Sequence, residues 1–246
     1  MKILAHLRSD WFRYGFETLA VIVGILVAFA LDNWNEARKQ EVLEIRYLNG
    51  LKTDLANDTA YYNRRIADSE GVKKDNSYHI QQMYQTQGSL EEARDLLSVA
   101  NWNSEQLTTQ NSTYIDLTNS GSLNLIGNQV LKEQVINYYR ETASAAAHIV
   151  EFNEVSSRTL LDVNKVIRNY NKLLYLFDVL YGDAKIFYEG EWAFINEPTS
   201  EKFQTLENAL EIYSIKHDEF LGHFRTLKEL STRLIKEIEK ELDSRN

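Results

Sequence analysis

The sequence predicts an all-α protein: one N-terminal transmembrane helix that continues into a bundle of long helices. Three observations carry that expectation. Residues 11–36, WFRYGFETLAVIVGILVAFALDNWNE, are the only long apolar run in a polar, acidic chain of net charge −9. The chain holds one Pro and ten Gly, so little punctuates helices. Apolar residues elsewhere recur at steps of three and four.

The span comes first. Its uninterrupted apolar stretch, residues 18–31, is about 21 Å of helix, short for a hydrocarbon core of about 30 Å. The flanks complete it. Trp11 and Tyr14 stand on one side and Trp34 on the other, with the two Trp about 35 Å apart along a helix axis, the spacing of two aromatic belts. Glu17 and Asp32 then sit near the boundaries, where a charge costs least. Ala20, Gly24 and Ala28, four residues apart, make a small-residue stripe that Glu17 and Asp32 extend at its ends. Such a face lets another helix approach closely, and the Leu, Ile, Val and Phe of the other faces suit lipid. A cleavable signal peptide, with Ala28-Phe29-Ala30 as its cleavage pattern, is opposed by Glu17 directly before the run and by three large aromatics ahead of it. A buried core helix is opposed by the paired aromatic flanks.

Residues 1–14 form a short basic tail, 15–36 the span and its exit, and 37–246 a helical bundle outside the membrane. Lys2, Arg8 and Arg13 precede the span, while Arg38, Lys39 and Arg46 follow it, so the count of basic residues alone leaves orientation open. A short basic tail ahead of a first span favours a cytoplasmic N-terminus at an inner membrane, with the large domain extracytoplasmic. The absence of Cys fits that side and removes thiol nucleophiles and Cys-ligated zinc.

No breaker follows the span. Leu48, Leu51, Leu55, Tyr62 and Ile66 continue a helical stripe, which predicts a long helix over about 37–87. Ser89 and Glu92 have capping-box spacing for a short helix to about Ala100. Residues 101–127 read as a short helix ended by Gly121 and a connector whose Leu123, Leu125 and Ile126 plug into the bundle. A second long helix is predicted over about 129–180, with Val135, Ile136, Tyr139, Ala143, Ala146 and Val150 inward. The loop after it carries Phe187, Tyr188, Trp192 and Phe194, which read either as caps on the bundle end or as a recognition surface. The last helix, about 201–244, has the clearest pattern. Phe203, Leu206, Leu210, Tyr213, His217, Phe220, Phe224, Leu227, Ser231, Leu234 and Ile238 form a heptad seam, suited to an intramolecular bundle or to an oligomeric coiled coil.

Chemistry is hard to find. The chain lacks a P-loop, HExxH and G-x-S-x-G, and no His follows a Glu by three as a di-iron bundle requires. His148, Glu151 and Glu154 form one stripe that is conceivable as a metal or acid–base site but reads more simply as a solvated face. His217 on the seam reads as a hydrogen-bonded core residue that could act as a pH-sensitive position. The acidic balance argues against nucleic acid as a partner.

The segments GFETLAVIVGILVAFALDNWNE, YLNGLKTDLAND and TYIDLTNSGSLNLIGNQVLKEQVINYY together resemble a family of uncharacterised bacterial single-span membrane proteins with a domain of unknown function. The exit Asn33-Trp34-Asn35-Glu36 is the most specific part. The resemblance implies an N-terminal anchor and a helical domain, and it supplies no catalytic residue and no cofactor.

The expected function is therefore that of a non-enzymatic, membrane-anchored helical scaffold, sensor or accessory subunit. Its partners would be the bilayer and either a second copy or another membrane protein. Two alternatives stand beside it: a subunit of an ion-conducting or ion-driven complex that uses Glu17, and an enzyme that uses the His148 stripe.

Overall fold

A computed structural model describes residues 3–85, 104–167 and 193–245, with side chains from residue 14 onward. Four α-helices and two short 3-10 turns make up the described chain, and no strand occurs among the described residues. Helix α1 is Ile3–Gln85, α2 is Ser112–Asn119, α3 is Gln129–Val166 and α4 is Glu201–Asp243.

Helix α1 has 83 residues without a break, about 125 Å of rise. Residues 3–14, expected as a tail, are its first turns. Residues 14–43 are exposed on every side, and the core begins at Glu44 and Leu48. The first part of the helix is apolar and uncovered, and its second part buries one face.

The buried face of α1 runs through Leu48, Leu51, Leu55 and Tyr62, all 0% exposed, and on to Met83. It packs along α4, and α3 packs along α4 from the other side. Chain direction follows from the partners. Leu51, Leu131 and Leu234 share the cluster at the base, next to the exposed part of α1. Tyr62, Ile149 and Phe224 share the middle, and Met83, Val163 and Phe203 share the far end. So α1 and α3 run away from the base and α4 returns to it.

Residues 104–128 form a strap that fills the wedge between α1 and α3 and descends antiparallel to α1. Its ties are in order: Gln106 to Tyr61, Gln110 to Asp58, Thr113 to Asp54, Asp116 to Tyr47 and Gly127 to Glu44. The strap turns at Gly121, whose φ of 68° suits a residue without Cβ. Leu117 and Ile126, both 0% exposed, are its apolar plugs. Each new long helix is capped as it starts: Asn128 accepts from the Leu131 amide and Ser200 from the Phe203 amide.

The α4 seam is buried at all eleven positions named from the sequence, including His217 and Ser231, and it packs within the chain against α1 and α3. Helix α3 differs from expectation in two ways. It ends at Val166 rather than near residue 180, because Ile167 turns to φ −125°, ψ 127° and buries its side chain among Met83, Phe194 and Phe203. Its inner face is also rotated. Val135 and Tyr139 are buried as expected, but Leu131, Tyr138, Thr142, Ala145 and Ile149 complete the buried face, whereas Ala143 and Val150 are exposed. Tyr138 and Thr142 go inward because their hydroxyls are satisfied there, Tyr138 on Asp58 and Thr142 on its own helix carbonyl. The short helix expected after Ser89 lies outside the described residues.

Candidate functional site

Three places could carry function: the uncovered span, the knot where α1 enters the bundle, and the buried polar groups inside it.

Helix α1 is the one helix among the described residues long and apolar enough to cross a membrane, and none of its apolar stretch is buried by the chain. Glu17, Ala20, Gly24, Ala28 and Asp32 lie along it and are exposed, and a Cβ added to Gly24 would meet nothing within 4 Å. At 100° per residue this stripe points roughly opposite to the Leu48–Leu55 core face, away from the bundle. Tyr14 and Trp34 are exposed at 58% and 61%, and the Arg38 guanidinium lies over the Trp34 ring at 5.8 Å. That stack keeps a polar group beside an aromatic ring expected at the lipid boundary. The Trp11 side chain lies outside the described residues.

Ten residues after Trp34, about 15 Å along the axis, Glu44 ends the exposed stretch. Its carboxylate accepts both Arg245 amino groups, at 2.6 and 2.8 Å, and the Gly127 amide at 2.8 Å. Arg245 also donates to Glu241, and Glu241 accepts from the Asn128 side chain. One knot thereby joins α1, the end of the strap, the start of α3 and the end of α4. The Asn128 hydrogen bond and then the Arg245 hydrogen bond hold the Glu241 carboxyl below its ordinary value. Glu44 first and Glu241 second hold the Arg245 guanidinium above its own.

Further up, Asp58 is 1% exposed and accepts from Tyr138 Oη and the Gln110 amide, both at 2.7 Å. Tyr62 Oη and Tyr138 Oη meet at 3.0 Å. Burial pushes the Asp58 carboxyl up; the Tyr138 and Gln110 hydrogen bonds oppose that shift, and Asp54 adds to it. Burial likewise pushes both tyrosine hydroxyls far up. This hydrogen-bond chain fixes the strap and α3 to α1.

The outer half of the core differs. Lys216, His217 and His79 are 0%, 1% and 5% exposed. His217 Nδ1 meets Ser69 Oγ at 3.2 Å, so the seam histidine is a hydrogen-bonded core residue. His148 is exposed, its ring 5.3 Å from that of His223, and Glu151 and Glu154 are also exposed. Among the described residues no group of three or more His, Cys, Asp or Glu is placed to hold a metal ion. Phe194, which the sequence left as either a cap on the bundle end or part of a recognition surface, is only 6% exposed and packs in the far cluster with Ile195 and Phe203, as a cap does. Its companions Phe187, Tyr188 and Trp192 lie outside the described residues.

A groove of about 610 Å³ runs between α3 and α4, its polar lining Glu133, Gln134, Asn137, Tyr138, Arg140 and Arg233. It brings together no nucleophile with a base and no acid pair. The knot and the Asp58–Tyr138–Tyr62 chain were missed from sequence, since the pairs that join their helices lie 76 to 201 residues apart.

A family model, described as a family of unknown function (DUF6090), matches residues 17–189, which include the apolar span, the strap and α3. No curated protein and no solved structure matches the chain.

Proposed function

We propose that this chain, which belongs to the family of unknown function DUF6090, is a single-pass, membrane-anchored helical scaffold or accessory subunit without catalytic activity. It is held in a bilayer by residues 15–36, and it works through helix–helix association. The observation that carries the reading is the single unbroken helix Ile3–Gln85, whose exposed apolar part runs into the bundle without a hinge. A bare helix of residues 14–43 in water would leave a large contiguous apolar surface uncovered. A bilayer covers it, and the aromatic residues Tyr14 and Trp34 then fall at the two interfaces.

The stripe Ala20-Gly24-Ala28 supports association in the membrane, with a second copy or another span as the partner. It points away from the bundle, so two copies could meet there without their bundles colliding. The knot at Glu44 ties the far end of the chain back to the base of the span, which suits a protein that passes position or orientation from membrane to bundle.

The test is native mass measurement after gentle extraction. A scaffold of this kind is expected to run above its chain mass of 28.6 kDa, with extra copies or a co-purifying membrane protein. Gly24→Leu should reduce it toward the single chain. A single-chain mass for both proteins would reject association through this face.

A further inference from the structure

Buried ionisable groups are segregated along the bundle. The base holds acids: Glu44, Asp54 and Asp58, at 6%, 8% and 1% exposed, each accepting an amide from the strap. The outer half holds bases: Lys216, His217 and His79, at 0%, 1% and 5%. His217 Nε2, His79 Nε2 and Asn76 Nδ2 in that half are buried without a hydrogen-bond partner, as is Nε of Arg65 beside them. A second proton on either imidazole would therefore arrive where no acceptor awaits it.

We infer that the bundle is a graded acid switch: on mild acidification its outer half loosens, while the half next to the span stays packed.

The surroundings of each histidine support this. His217 is flanked by Lys216 on its own helix and by Arg65 on α1, both cationic. The strap's Glu105 pairs with Arg65, and the exposed Asp218 with Lys73, so neither carboxylate is left to neutralise His217. Helix α3 contributes Ser156, which is hydrogen-bonded to Tyr213. Around His79, Asp75 on α1 is the one charge acting on it among the described residues. On α4, Glu207 and Glu211 act on Tyr84, and on α3 the exposed Asp162 and Lys165 pair with each other. In the middle of the bundle, His148 opposes protonation of the part-buried His223.

Burial first, then Lys216 and Arg65, pushes His217 down to about 3. Burial lowers His79 as well. A base whose folded value lies below its unfolded 6.5 leaves stability intact above pH 6.5 and removes it progressively as pH falls toward the folded value. At the base the sign is opposite for Asp58. Its carboxyl is raised, so protonation relieves a buried charge there. Between pH 7.5 and 5.0 acid thus acts against the outer half, while at the base it relieves Asp58 and leaves Glu241, held below its ordinary 4.5, ionised in the knot.

Hydrogen exchange of the full-length protein in lipid nanodiscs, at pH 7.5 and 5.0 and corrected for intrinsic rates, tests this. His217 alone should raise the opening equilibrium of the outer half, residues 69–83 and 203–217, about thirty-fold over that interval. Residues 48–58, 131–138 and 231–238 should change less than about three-fold. The variant His79→Gln/His217→Gln, whose amides stay neutral, should lose most of the response. Equal loosening of both halves, no loosening of the outer half, or an undiminished response in the variant would each overturn the inference. If the double variant does not fold, the contrast between the two halves in the wild type and the single variant His79→Gln decide it on the same criteria.

Discussion

Arg245 and Glu44, 201 positions apart, form a two-point ion pair: Nη1 and Nη2 donate to the two carboxylate oxygens at 2.6 and 2.8 Å. Their side chains are 19% and 7% exposed, so water screens the pair little. The pair stands where the exposed helix becomes a bundle. It closes the base by tying α4 to α1, and through Glu241 and Asn128 it reaches α3.

Arg245→Ala should therefore destabilise more than a surface change. It leaves the nearly buried Glu44 carboxylate without its cation, at a cost of about 3 kcal/mol. Arg245→Lys should recover part of this, because an ammonium cannot make both parallel bonds. Denaturant unfolding of the three proteins in one detergent checks the ranking. Equal midpoints for wild type and Arg245→Ala would contradict it.

Asp58 offers a test of sign. Burial raises its carboxyl, so ionisation costs stability above its folded value and that cost fades as pH falls. Asp58→Asn keeps the side chain's size and much of its hydrogen bonding but removes the charge. It should be at least as stable as wild type at pH 7 and lose its advantage as the pH is lowered. Asp58→Ala leaves the Gln110 amide and Tyr138 hydroxyl without their acceptor and should cost about 2–3 kcal/mol. Unfolding curves at pH 7 and pH 5 separate these outcomes.

Gly50 sets how closely the strap approaches α1. A Cβ there would lie 2.9 Å from Thr113 Oγ1 and 3.0 Å from Cγ2. Gly50→Ala should cost about 1–2 kcal/mol despite the better helix propensity of Ala. Adding Thr113→Ala removes both clashing atoms, so the double variant should recover most of that loss. A double-mutant cycle without coupling would mean that the strap does not sit against Gly50.

Phe224, 1% exposed, stacks with Tyr62 and packs edge-on to Tyr61 and Phe220 in the middle of the bundle. Phe224→Ala should cost about 3–5 kcal/mol. Val150→Ala on α3, at a side chain 52% exposed, should change stability by less than about 0.5 kcal/mol. Comparable losses would restore the sequence-based phase of α3 and reject the observed one.

The contrast between α4 and α3 shows what a sequence can reveal of such a fold. Along α4 the seam is built of large apolar residues from Phe203 to Ile238, so heptad spacing alone identifies the buried side. Along α3 the inner face includes Tyr138, Thr142, Asn153, Ser156 and Thr159. A reading that seeks apolar residues shifts onto Ala143 and Val150, because the polar groups become favourable inside only once Asp58 and the Glu105 backbone are opposite them. The end of α3 is similar. Nothing near Ile167 breaks a helix locally, and the turn follows from the place open to its side chain in the far cluster. The exposed apolar stretch at the start of α1 was legible because composition marks it over a continuous run of residues. The knot was not, since Glu44 and Arg245 are ordinary surface residues until the fold joins them.

If one continuous helix carries the chain across a bilayer and into the bundle, its two ends must lie on opposite sides of that bilayer. The chain has no Cys, so single cysteines can be introduced without background. Lys2→Cys lies before the span, and Asn63→Cys lies on the exposed side of α1 in the bundle. A membrane-impermeant maleimide added to intact spheroplasts is expected to label the Asn63→Cys variant directly. It should label the Lys2→Cys variant only after the membrane is permeabilised. Labelling of both variants in intact spheroplasts would contradict the account.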